Sequence, residues 1–146
     1  GGIMISDRDL GWLEAALDGE GCLGLYKPQQ RTTRRGFAWK ISIQLANTNM
    51  AFLRHGQKLL RGTIHSLSPK PGRKIVFVLQ GTVTAAREIF PLLRFDIKEG
   101  QRKLLLAAME LLDDHKGNNL NRRVSHDKRL EEIYYELRAL NKRGER

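Results

Sequence analysis

Residues Trp12 to Lys27 read WLEAALDGEGCLGLYK, and they pass from one periodicity to another with only Gly-Glu-Gly between. Upstream, Leu10, Leu13 and Leu17 recur at helical spacing, and Ser6 followed by Asp7 and Asp9 supplies an N-cap with first-turn acids. Downstream, CLGLYKPQQ alternates, with Leu23 and Leu25 on one face and Cys22, Gly24, Tyr26 and Gln30 on the other, as in a half-buried strand. A helix ending at Gly19 or Gly21 must therefore turn into a strand without a polar loop. Glu20 stands at that junction, at the negative pole of the helix dipole, where a carboxylate is disfavoured.

Gly11, Ala15 and Gly19 lie four residues apart, with Ala16 alongside, so one helix face carries only small side chains. Alanine's helix propensity and a C-capping Gly19 account for part of this pattern. They leave Glu20 unexplained. Packing of a second copy of the helix along the small face, with Trp12 included in the contact, would bring two Glu20 carboxylates together at the paired ends. Like charges so close require a cation.

Beyond the junction, FAWKISIQLAN alternates cleanly: Phe37, Trp39, Ile41, Ile43 and Leu45 face one way, Ala38, Lys40, Ser42, Gln44 and Ala46 the other. Asn47 or Asn49 caps a helix carrying Phe52, Leu53, Leu59 and Leu60, which Gly62 stops. TIHSLS and KIVFVLQ then form a second hairpin around PKPGR. Thr82 or Thr84 caps a further helix that Pro91 ends or kinks, and a longer helix runs from about Glu99 to Leu112. After the polar connection DDHKGNNLNRR, Ser125 opens a final amphipathic helix with Leu130, Ile133, Tyr134, Leu137 and Leu140 on one side. The order αββαββα with additional C-terminal helices predicts an α+β fold, an antiparallel sheet covered by helices on its apolar face and open on the other.

Charge points to what the open face meets. The chain carries 26 Lys and Arg against 16 Asp and Glu, a net charge of +10, which favours a polyanionic partner. Tyr26, Gln30, Lys40, Ser42 and Gln44 lie on the open face, joined from the second hairpin by His65, Ser66, Ser68, Lys70, Arg73 and Lys74. Such a ribbon suits the major groove of double-stranded DNA, and the turn residues Arg31, Arg34 and Arg35 add phosphate contacts beside it.

Other chemistries find less support. Cys22 is the only cysteine, which excludes a disulfide framework or a thiolate zinc cluster and suits a reducing compartment, cytoplasmic, nucleoid or organellar. His55, His65, His115 and His126 have no metal-ligand spacing, and neither a nucleophile elbow nor a phosphate-cradling glycine loop is present. No apolar run approaches the roughly 20 residues of a membrane span, so no membrane partner is expected.

The segment LEAALDGEG resembles the signature motif of the LAGLIDADG homing endonucleases. Leu13, Leu17, Asp18, Glu20 and Gly21 match it in kind, whereas Glu14, Ala15 and Ala16 depart from it. The helix-hairpin-helix-hairpin order from about Leu10 to Leu112 resembles the family core, and the single motif resembles members that act as homodimers. By this resemblance residues 4–116 form the endonuclease core, and residues 117–146 a polar connection and a C-terminal helix packed on the same domain. The motif helix would form the dimer interface through Gly11, Trp12, Ala15, Ala16 and Gly19. Glu20, with the Gly19 carbonyl, would bind Mg²⁺, and Mn²⁺ or Ca²⁺ could occupy the same oxygen site. Asp18 would serve helix-end and interface structure. Lys98, before the long helix, matches a basic residue that supports the reaction electrostatically, with Gln101 a turn later. Asn47 matches a residue that positions water, with Gln44 a competing choice. Ala51 occupies the simplest position for a second active-site cation, leaving Arg54 as a substitute.

The activity so implied is metal-dependent hydrolysis of both strands of a long pseudo-palindromic DNA site across the minor groove, one strand per subunit, initiating intron mobility. Two other classes stay open at this stage. One is a non-cleaving relative, either an RNA maturase bound to intron RNA or a DNA-binding regulator. The other is a basic structural or RNA-associated protein, for which no metal site is expected.

Overall fold

The structure, a computed structural model, describes residues 5–28, 38–68, 70–113 and 120–144, with residues 120–123, 143 and 144 described by backbone alone. Helix α1 spans Asp7–Glu20, capped by Ser6, whose hydroxyl accepts the Asp9 N–H at 3.1 Å. At its other end the Gly21 N–H donates to the Leu17 carbonyl, so the strand begins while the last helical bond is still closing. A Cβ at Gly21 would lie 2.5 Å from that carbonyl oxygen. Glycine is thus what lets the helix pass into the strand without a loop.

Strands β1 (Gly21–Tyr26) and β2 (Lys40–Asn47) precede helix α2 (Met50–Leu60), and β3 (Thr63–Ser66) and β4 (Phe77–Gln80) follow it. They form a four-stranded sheet in the order β1-β2-β4-β3. Antiparallel pairing sets Gln44 opposite Gln80 and Asn47 opposite Phe77, while Thr63 and His65 of β3 face Gln80 and Val78. Asn49 supplies the N-cap of α2, its side chain accepting from Phe52 N–H. The helix closes through Arg61 and Gly62 at φ of 58° and 86°. A side chain on Gly62 would collide with the Gln80 carbonyl, so the turn from α2 into β3 also depends on glycine. Helix α3 (Val83–Ile89), capped by Thr82, ends in a 3₁₀ turn at Phe90–Leu92 that contains Pro91. Helices α4 (Glu99–Asp113) and α5 (Leu120–Gly144) complete the chain. The observed order matches the expected α+β arrangement.

Several expected boundaries move: β1 ends at Tyr26, β2 begins at Lys40 and β3 ends at Ser66, each shorter than its alternating stretch. Helix α5 begins at Leu120, within the stretch expected to be a polar connection, rather than at Ser125. Strand β4 begins at Phe77, because residues 74–76 leave the ladder, keeping one bond from Leu67 N–H to the Val76 carbonyl.

The chain divides into two compact units, residues 1–22 with 42–99, and residues 23–41 with 100–146. In the first, Leu13 and Leu17 of α1, Ile43 and Leu45 of β2, Leu53 and Leu60 of α2, Leu79, Ile89, Phe90 and Leu93 are almost wholly buried. Each such side chain contributes about 1.5–3 kcal/mol relative to exposure. In the second, Leu105 and Met109 of α4 and Leu130, Ile133 and Leu137 of α5 recur at helical spacing and are buried. There Trp39 donates its indole N–H to Asp127 at 3.0 Å, and the Asn141 amide donates to the Leu23 carbonyl at 2.9 Å. The Lys27 ammonium sits 5.4 Å from the Trp39 ring centroid and 3.7 Å from Glu131.

Candidate functional site

The carboxyl end of α1 gathers the polar residues that the sequence singles out. Glu20 is the last residue of that helix and is exposed. Asn47, the last residue of β2, donates its amide N–H to Glu20 Oε2 at 2.7 Å. Its Oδ1 accepts the Asn49 N–H at 2.8 Å, so both ends of the amide are engaged and its orientation is set. Among the described residues no other side chain hydrogen-bonds to the Glu20 carboxylate.

Asp18 and Lys98 form the second half of the arrangement. The Asp18 carboxylate accepts three consecutive backbone N–H groups, from Asp96 at 2.9 Å, Ile97 at 2.9 Å and Lys98 at 2.8 Å. In return the Lys98 ammonium donates to the Asp18 carbonyl at 2.6 Å. Carbonyls in a last helical turn lack intrahelical partners and carry partial negative charge, so a cation there is favourable. One turn earlier, Glu14 Oε1 accepts the Arg94 N–H at 3.0 Å, so two acids on one side of α1 hold the segment 94–98.

Gln44 does not join this group. It lies on the other face of β2 and donates its amide to Gln80 Oε1 at 2.7 Å, so the structure brings Asn47 and not Gln44 to Glu20. Ser42 shares the Gln80 acceptor at 3.2 Å but is only 6% exposed, which corrects its expected place on a reading surface: it supports Gln80 from beneath. Gln80 is the residue that sequence reasoning missed. The only available signal was its position one alternation from Val78 in a strand whose register was unknown. Gln101 is likewise buried, and Arg54 is exposed on α2.

The small-residue face of α1 divides in two. Gly11, Ala15 and Gly19 are exposed, and a Cβ at either glycine would meet nothing within 4 Å. Ala16 is buried, and the half-buried Trp12 packs on Phe52 and His55 of α2 at ring distances of 5.2 and 4.2 Å.

The expected DNA-facing residues are placed in part. Gln30, Arg31, Arg34 and Arg35 lie outside the described residues. Tyr26 and Lys40 are exposed on β1 and β2, and His65 is exposed on β3. Ser68, Lys70, Arg73 and Lys74, with Leu67 and Val76, line a cavity of about 240 Å³ in the second hairpin. Lys74 also lines a shallower hollow of about 510 Å³ with Thr48, Asn49, Ile75 and Phe77, so hairpin charge reaches the neighbourhood of Asn47.

As a cation site the donor set is hard but partial. Among the described residues no three His, Cys, Asp or Glu side chains cluster as metal ligands. An exposed carboxylate beside the carbonyls of a helix end fits Mg²⁺, which keeps several waters and takes phosphate oxygens rather than an all-protein cage. No helix among the described residues is long and apolar enough to cross a membrane.

No known family profile matches the sequence, and no curated protein does. Solved structures match its fold. The homing endonuclease I-CvuI, in complex with I-CreI target DNA in the presence of Mg, aligns at a TM-score of 0.66 and 19% identity over 92% of this chain and 85% of that one. The archaeal intron-encoded homing endonuclease I-Vdi141I, complexed with DNA, aligns at 0.71 and 18% identity over 92% and 84%. The LAGLIDADG homing endonuclease I-GzeII, in complex with its DNA target, aligns at 0.68 and 10% identity over 86% of this chain but 43% of that chain. The fold is that of the LAGLIDADG homing endonucleases.

Proposed function

We propose that the chain is a site-specific DNA endonuclease that works as a homodimer, cuts both strands of a pseudo-palindromic target with the help of Mg²⁺, and thereby initiates intron mobility. The observation that carries this reading is the convergence of Glu20, Asn47 and Lys98 on the exposed end of α1. Nothing in the core requires an exposed acid, a tethered amide and an ammonium at that point. A reaction that develops charge on phosphate oxygens does.

Within this reading Glu20 and the Gly19 carbonyl hold the cation, which when bound supplies charge stabilisation to phosphate oxygens and acidifies water. Asn47 holds the Glu20 carboxylate through one oxygen, leaving the other for the cation, and its amide is close enough to orient water. Lys98 brings positive charge to the same helix end. The exposed stripe of Gly11, Ala15 and Gly19 permits close approach of a second α1, and the alignment of this chain with less than half of I-GzeII supports a pair of such units. Lys40, His65 and Gln44 on the sheet, with Lys70, Arg73 and Lys74 on the hairpin, provide phosphate and base contacts to duplex DNA.

Incubation of the protein with a randomised duplex library, in Mg²⁺ and in chelator, tests the proposal. Discrete breaks at one near-symmetric sequence, in Mg²⁺ only, are expected. Binding without breaks, from a library that covers the required site, would replace the nuclease with a non-cleaving DNA- or RNA-binding protein of the same fold.

A further inference from the structure

The two acids of the motif segment, Asp18 and Glu20, do different work in the structure. Glu20 is exposed and its carboxylate accepts from Asn47 through Oε2, whereas both Asp18 oxygens are taken up by the chain itself. Oδ1 accepts from Ile97 at 2.9 Å and Lys98 at 2.8 Å, and Oδ2 accepts from Asp96 at 2.9 Å. The turn thus held follows the buried Phe95 and carries Ile97, which is 75% exposed, so the Ile97 side chain does not anchor it. The bonds to Asp18 fix the backbone of residues 96–98 directly, and each charge-assisted bond is stronger than a neutral one.

We infer that Asp18 is a positioning residue: by clamping the 96–98 turn it sets the Lys98 ammonium on the Asp18 carbonyl, and so sets the distance between that cation and the Glu20 carboxylate two residues on. The effect on cleavage rests on the endonuclease reading. The clamp itself does not. Lys98 reaches the site on a flexible four-carbon stem, and its ammonium donates to the Asp18 carbonyl at 2.6 Å. Releasing the backbone of residues 96–98 would leave the ammonium to sample positions that misplace it by more than an ångström, enough to cost rate without touching DNA affinity. The neutral amide of Asn cannot replace the acid, because it offers one acceptor oxygen in place of two and adds a donor facing three donors.

The test combines hydrogen exchange with kinetics on the full chain. Asp18→Asn is expected to speed amide exchange at Asp96, Ile97 and Lys98 by about tenfold or more, whereas Lys98→Ala leaves those amides slow. In single-turnover cleavage at saturating DNA, Asp18→Asn is expected to lower the rate constant by about tenfold or more with Kd for DNA unchanged. In the Lys98→Ala background it should add no further loss, because it acts through that lysine. Unchanged exchange, or a full additional loss in the Lys98→Ala background, would overturn the proposal. Should Asp18→Asn fail to fold, Asp18→Glu, which keeps both acceptors at displaced positions, is judged by the same criteria. A wild-type chain that cuts no duplex would sink the endonuclease reading alone, and the exchange rates would still decide whether Asp18 holds the turn.

Discussion

Asn47 donates to Glu20 at 2.7 Å and thereby joins the last residue of β2 to the last residue of α1. The bond presents the carboxylate in one orientation, and the Asn49 N–H on the other end of the amide keeps Asn47 from turning away. An acid at a helix carboxyl end is disfavoured by the dipole, and this tether offsets part of that cost.

Asn47→Ala should therefore free the Glu20 side chain without removing it. Cleavage is expected to fall by roughly ten- to a hundredfold at saturating Mg²⁺, and single-turnover kinetics measure it. An unchanged rate would take Asn47 out of the site.

Gly21→Ala tests the junction of helix and strand. Its Cβ would press on the Leu17 carbonyl from 2.5 Å, so α1 and β1 must part. A loss of about 1–3 kcal/mol is expected, read as a lower denaturant midpoint at unchanged slope. A midpoint equal to wild type would show that the strand can start elsewhere.

Gly11→Arg separates folding from assembly. Nothing lies within 4 Å of a Cβ at Gly11 inside the chain, so the variant should keep its unfolding midpoint. In the proposed dimer the same position faces a second α1, and sedimentation should find a monomer that has lost cleavage. A dimer of wild-type affinity would place the interface on another surface.

Gln80→Ala removes the acceptor shared by Ser42 and Gln44. Gln44 then loses its orientation, and in the proposed DNA complex discrimination at the bases it would read should relax by about 1–3 kcal/mol per position, as profiled on a library of single-base target variants. Arg73→Ala should instead weaken binding to all sequences alike and lower the salt slope by about one. Swapped phenotypes would reverse the two assignments.

Most of the fold was legible because apolar residues here follow clean periods and helix starts carry side-chain caps. Ser6, Asn49 and Thr82 each cap the helix they announce. The first turns of α5 were not legible, since a polar helical stretch without apolar recurrence reads as a loop. Ser42 was misjudged for a related reason: alternation tells which face a residue takes, but not whether Gln80 on the neighbouring strand covers it. Asn47 and Gln44 stayed in competition until the position of α1 against the end of β2 was known. The division of labour between Asp18 and Glu20 was also hidden, because two carboxylates two residues apart look alike until their partners are seen.

The most direct test of the central claim compares wild type with Glu20→Gln on the target sequence, measuring Mg²⁺-dependent cleavage and DNA binding on the same samples. Glu20→Gln keeps an oxygen for Asn47 but loses the charge that would hold the proposed cation. Retained binding with cleavage reduced by about a hundredfold or more is the predicted result. Equal cleavage by the two proteins, or cleavage by wild type in chelator, would contradict it.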